Sequence, residues 1–116
     1  ISHWPDGSDV EVFSFEALEN AHKNSFDAAE REHVTFYFWK NEKTKFKLAQ
    51  MKNSEDWSKY RFTVDYLEDF EVVKILMAEL KRKKLFGHVN EVIDILRGNP
   101  WIVEINSKYH FGVGWK

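Results

Sequence analysis

Cysteine is absent from this chain of 116 residues, which removes disulfides, thiolate metal sites and cysteine nucleophiles from consideration. The absence suits a reducing cytoplasm, the compartment expected here. No apolar run approaches the length of a membrane span, so no membrane partner is expected. Proline occurs only twice and glycine five times, and no low-complexity linker interrupts the chain. One domain, or part of one, is therefore expected over residues 1–116. A basic surface is missing as well. Seventeen Lys and Arg face nineteen Asp and Glu, for a formal net charge of −2, and such a balance offers nucleic acid no general attraction.

Several catalytic signatures are also lacking. His3, His22, His33, His88 and His110 show no HxH or HExxH spacing, so they form no recognisable metal motif. Neither a GxSxG elbow nor a P-loop occurs, which removes the main support for hydrolase and P-loop kinase readings. The chain opens on Ile1 rather than Met, with no charged and apolar leader before Trp4-Pro5-Asp6-Gly7. No signal peptide is expected, and the chain is expected to be a piece of a longer one. Aromatic residues, by contrast, are plentiful at 16%. That is more than a core of this size requires, and it points to apolar surface meant for a neighbour, possible homo-oligomers included.

Local patterns predict strands alternating with helices. Asp9 to Phe13 and Thr35 to Trp39 read as extended, as do the alternating Phe46, Leu48 and Gln50 after a polar turn at Asn41-Glu42-Lys43, and Trp101 to Ile105. Ser14 is a good N-cap for a helix to about Asn24, with Phe15, Leu18, Ala21 and His22 as its inward stripe. Asp27 with Glu30 three residues on starts a second short helix like a capping box. The apolar set Phe70, Val73, Met77 and Leu80 predicts a helix from Glu68 to about Lys84, ending in the basic run Lys81-Arg82-Lys83-Lys84. Val89, Val92, Ile93 and Leu96 predict another, stopped by Gly98-Asn99-Pro100. Trp57 falls in a loop from Asn53 to Lys59, and Lys108 to Lys116 forms an aromatic tail. The class is α/β or α+β.

The segment Arg61-Phe62-Thr63-Val64-Asp65-Tyr66-Leu67-Glu68-Asp69-Phe70 is the most informative. A two-residue period puts Arg61, Thr63 and Asp65 on one face and Phe62 and Val64 on the other. Asp65 then ends a strand just before the longest helix, where carboxylates in open α/β sheets reach bound ligands. Two roles are open to it: a ligand to a hard divalent cation, or the N-cap of the following helix.

This segment resembles the strand, aspartate and helix near the C-terminus of sugar-activating cytidylyltransferases, of the acylneuraminate type and close to the spore coat polysaccharide biosynthesis branch. Pro5-Asp6-Gly7-Ser8-Asp9-Val10-Glu11-Val12-Phe13-Ser14-Phe15-Glu16-Ala17-Leu18 and Arg31-Glu32-His33-Val34-Thr35-Phe36-Tyr37 resemble the same family in the same order. Phe36 and Leu67 stand where that pattern has proline. The resemblance runs from about Trp4 to about Asn106 and covers the C-terminal half of such enzymes only. It implies the C-terminal portion of a nucleotide-diphospho-sugar transferase type, three-layer fold. It also implies transfer of CMP from CTP to a sugar, with Mg²⁺ assisting. Asp65 would be the metal ligand, Arg31 and His33 sugar contacts, and Asp9 a helper. The family's phosphate-cradling loop is not found, so this chain alone is expected to be inactive. A non-catalytic association or sugar-specificity module is the alternative.

Overall fold

The structure, a computed structural model, describes residues 3–40 and 46–109. The expected Asn41-Glu42-Lys43 turn and most of the aromatic tail, with His110, lie outside those residues. The described chain is mostly helical and divides into two compact units, residues 3–9 with 52–109 and residues 10–40 with 46–51.

The first unit is built on three helices, Leu67–Lys83, Val89–Gly98 and Pro100–Ile105. They are α4, α5 and α6 in chain order, after α1 (Phe15–Asn24), α2 (Ala28–Glu32) and α3 (Phe36–Lys40) of the second unit. α4 packs on both α5 and α6, which also pack on each other. Val72, Leu76 and Leu80 of α4 meet Ile93, Ile95, Leu96 and Ile102 in a core that includes Tyr60. Ile93 and Ile102 are fully buried, and burial of one such side chain contributes on the order of 1.5–3 kcal/mol. Both longer helices begin in the same way, with an acidic third residue reaching back to orphan amides. Glu91 Oε2 accepts from Gly87 N and His88 N at 2.8 Å each, as Asp69 does for α4.

Two segments meet beside these helices through one backbone bridge, and the strand expected to end at Asp65 is not formed, residues 62–65 having no regular structure. Asp6 N donates to Tyr60 O at 3.0 Å and Phe62 N to Asp6 O at 2.6 Å, a single parallel bridge between Asp6 and Arg61. The approach depends on Gly7, whose φ of +90° lies in the left-handed region. A Cβ there would sit 2.6 Å from Thr63 N and 2.8 Å from Phe62 C, closer than backbone atoms permit.

In the second unit Ser14 caps α1 by accepting from Ala17 N at 3.1 Å, and Asp27 caps α2 by accepting from Ala29 N at 2.8 Å. Glu30 does not complete the box. Its Oε2 accepts from Ser25 Oγ at 3.1 Å instead. A small core joins Ala21, Tyr37 and Phe38 with Ala17 and Phe46, and Tyr37 Oη donates to Asn20 Oδ1 at 3.2 Å. The stripe expected on α1 is narrower than its pattern, since Ala21 is buried while Phe15 and His22 are exposed.

The strand expectations are corrected. Thr35 to Trp39 is mostly helical, because Phe36, Tyr37 and Phe38 are all buried from one short turn of α3, a tertiary override of β propensity. Trp101 to Ile105 is helical because Pro100 occupies the first position of α6, where its fixed φ favours a helix. Gly98 ends α5 within the helix rather than as a left-handed cap. Asp9 to Phe13 and residues 46–51 have no regular structure, and Val10, Val12 and Leu48 are exposed. Among the described residues the class is helical or mixed, and no three-layer sandwich is formed.

Candidate functional site

The first unit gathers three carboxylates about one guanidinium. Arg61 Nε donates to Asp69 Oδ1 at 2.9 Å and Nη2 to Asp69 Oδ2 at 3.0 Å. Nη2 also donates to Asp65 Oδ2 at 2.9 Å, and Nη1 to Asp6 Oδ2 at 3.3 Å. The Arg61 side chain is only 7% exposed and that of Asp69 is 0% exposed, whereas Asp65 is 63% exposed. Tyr66 and Tyr109 stack with ring centroids 3.8 Å apart, and both lie within 6 Å of the guanidinium carbon, in cation–π range.

Asp69 is saturated. Besides Arg61 it accepts from Asn106 Nδ2 at 2.9 Å, Asp65 N at 3.0 Å and Tyr66 N at 3.1 Å. Burial pushes its pKa up, but the donors from Arg61, Asn106 and the two amides outweigh it and hold the carboxyl well below the usual range. The Asp69 carboxylate in turn raises the Arg61 pKa, with Asp65 and Asp6 adding to it. Asp6 behaves in the opposite way. Burial, aided by Asp9 and Asp65, lifts its pKa against the pull of Arg61 and the Gly7 amide.

The geometry separates two roles that the sequence left open at Asp65. The N-cap of α4 is Tyr66, and the side chain that satisfies the orphan amides is Asp69. Asp65 does not cap. Its Oδ2 rests on Arg61, and its second oxygen has no hydrogen bond among the described residues. Arg61 and Asp69 are the residues that sequence reasoning passed over. Their signal was present as an arginine within an apolar extended run followed by acids at i+4 and i+8.

The other expected contacts stand apart in kind. Asp9 Oδ2 accepts from Gly7 N at 3.3 Å on an exposed turn. Arg31 is exposed on α2, its Nη1 donating to His22 O at 3.3 Å and lying 3.2 Å from His22 Nδ1. Nη2 and Nε of Arg31 make no hydrogen bond among the described residues. A concavity of about 160 Å³ in the second unit is lined by Arg31, His22, Ser25, Glu30 and the apolar Leu18, Ala21 and Val34. His33 is the C-cap of α2, its ring 4.5 Å from that of Phe36, and it does not line the concavity.

The fit to a divalent cation is limited to one ligand. Among the described residues no group of three His, Cys, Asp or Glu is placed to hold a metal ion, and Asp69 has no lone pair to spare. Mg²⁺ on a nucleotide needs only one or two protein carboxylates, with phosphates and water completing its shell.

No family model matches the chain, and no solved structure matches it. An uncharacterized protein of Methanocaldococcus jannaschii is 36% identical over 107 residues, covering 87% of this chain and 41% of that protein. The chain thus spans about two fifths of this relative's length. Among the described residues no helix is long and apolar enough to cross a membrane.

Proposed function

We propose that the chain is part of a CTP-dependent nucleotidyltransferase that activates a sugar as its CMP derivative for surface polysaccharide synthesis. The observation that carries this reading is the division of labour between Asp69 and Asp65. Asp69 does the work of a helix cap, which leaves an outward carboxylate at Asp65, fixed by Arg61 and free to face a cation. In the reaction the anomeric hydroxyl of the sugar attacks the α-phosphorus of CTP. A new P–O bond forms, the bond to the β-phosphate oxygen breaks, pyrophosphate leaves with the electron pair and the hydroxyl proton passes to solvent. Mg²⁺, when bound, neutralises phosphate charge, the main requirement of such transfers. Asp65 would hold it.

The sugar contacts proposed are Arg31, His33 and Asp9. Arg31 supports this most clearly, because His22 steadies one arm of its fork and leaves the rest for an anionic or hydroxylated ligand. The three-layer α/β fold belongs to the whole enzyme in this reading, with CTP bound chiefly by residues beyond this chain. The test is pyrophosphate release by the longer protein given CTP, Mg²⁺ and a panel of sugars and sugar acids. Release that requires one sugar is expected, and none with any sugar overturns the reading. A non-catalytic association module is the second reading, favoured by the large apolar side chains that α4 leaves exposed, Phe70 and Met77.

A further inference from the structure

The turn that joins α4 to α5 holds an aromatic ring out in solvent on a fixed backbone. Lys84 at a φ of 55° and Gly87 at a φ of 102° set its course. Leu85 N donates to Leu80 O at 2.9 Å, and Gly87 N and His88 N donate to Glu91 Oε2 at 2.8 Å each, so both ends of the turn are tied to the helices it connects. At its apex Phe86 is 88% exposed, its ring 5.0 Å from that of His88, and Leu85 beside it is 37% exposed. A connection with no partner would carry polar side chains at those positions.

Four cations precede the ring. Lys81, Arg82, Lys83 and Lys84 are all exposed. Arg82 pairs with Glu79 at 2.8 Å, whereas Lys81, Lys83 and Lys84 make no ion pair among the described residues. The whole chain carries a formal charge of −2, yet between residues 79 and 91 these four cations stand against two acids, Glu79 and Glu91, and both acids are already bound. The dipole of α4 accounts for cations in its last turn. It does not account for the exposed apolar side chains beside them, which include Met77, placed on the same helix face as Lys81 by their four-residue spacing.

We propose that this turn is a peripheral contact for an anionic lipid surface. Phe86 and Leu85 enter the headgroup boundary, and Lys81, Arg82, Lys83 and Lys84 meet the negative charge of the headgroups. The charge complementarity is direct, because three of the four cations have no counter-ion of their own. Three are lysines, whose point charges on flexible stems suit a fluid surface better than the rigid fork of arginine. A single protruding ring likewise suits a surface that yields to it and offers no fixed pocket. The expectation of no membrane partner concerned spanning segments, and a peripheral contact of this reversible kind needs none. The proposal goes beyond the function above and does not depend on nucleotide chemistry.

The test is co-sedimentation of the full chain with vesicles of phosphatidylcholine mixed equally with phosphatidylserine, and with vesicles of phosphatidylcholine alone. Binding to the mixed vesicles only is expected, weakened by added salt. The double variant Lys81→Gln, Lys83→Gln is expected to weaken it on the order of tenfold or more. Phe86→Ser, at an exposed site, is expected to keep the melting temperature of the parent and weaken binding on the order of tenfold or more. Phe26→Ser, equally exposed at 89% in the second unit, is expected to leave binding unchanged. Absence of binding, equal binding to the neutral vesicles, insensitivity to Phe86→Ser or to the lysine changes, or an equal loss with Phe26→Ser would each overturn the proposal. Binding to poly-glutamate without binding to the mixed vesicles would make the partner an acidic polypeptide and overturn it too. Loss of pyrophosphate release bears on none of these outcomes, so the two readings fail separately.

Discussion

Arg61 and Asp69 are joined by two parallel hydrogen bonds, at 2.9 and 3.0 Å, with both side chains almost wholly removed from solvent. The pair ties the segment before α4 to the first turn of that helix, and Asn106 after α6 ties the far end of the unit to the same carboxylate. Breaking it strands a buried charge. Asp69→Ala is expected to destabilise the first unit by about 3–5 kcal/mol, measured by denaturant unfolding. A cost below about 1 kcal/mol would mean the network is replaceable by water.

The same pair sets a pH dependence. Asp69 has a lowered carboxyl pKa in the folded chain, so between its folded value and its ordinary value of 3.8 the unfolded state binds more protons. Its stabilisation is complete above the ordinary value and is lost as pH falls through the window below it. Asp6 is raised and acts with the opposite sign, favouring the folded state as pH falls through its own window. Asp69→Asn is therefore expected to flatten the acid limb of a stability profile, and Asp6→Asn to steepen it. Parallel profiles for both variants and the parent would contradict these assignments.

Gly7 makes a sharper packing test. Its positive φ and the 2.6 Å approach to Thr63 N leave no room for a methyl group, so Gly7→Ala is expected to cost more than the ordinary 1 kcal/mol of left-handed backbone strain. Lys84 also takes a positive φ, 55°, at the end of α4. Lys84→Gly is expected to stabilise by up to about 1 kcal/mol. Thermal melts of both variants check the contrast in sign.

The helices written in amphipathic periodicity were legible in the sequence. α4 and α5 lie within a residue or two of their patterns, and Ser14 and Asp27 cap where their types predict. The strands were not. Thr35 to Trp39 and Trp101 to Ile105 have the side chains of strands, but no neighbouring strand is on offer among the described residues, and burial of aromatic and aliphatic side chains against helices decides their conformation. The choice of carboxylate that caps α4 was not legible. Capping depends on which carboxylate reaches back over the helix start, and Asp69 at the third helical residue reaches where Asp65 does not.

The isolated chain is expected to be inactive in nucleotidyl transfer, because catalysis on a triphosphate requires preorganised donors for its phosphates. Nucleotide-dependent pyrophosphate release by these 116 residues alone, above a heat-treated control, would place the whole active site within them.

The most direct measurement is the Mg²⁺ dependence of pyrophosphate release by the longer protein of the proposed function, carrying Asp65→Asn. Since Asp69 rather than Asp65 serves the helix amides, the melting temperature is expected to stay within about 2 °C of the parent's, as for an exposed substitution. Turnover is expected to fall by on the order of tenfold or more, with partial recovery at high Mg²⁺, because an amide is a poor ligand for a hard cation. Unchanged turnover with an unchanged Mg²⁺ dependence would contradict the account, leaving Asp65 as no more than a surface partner of Arg61.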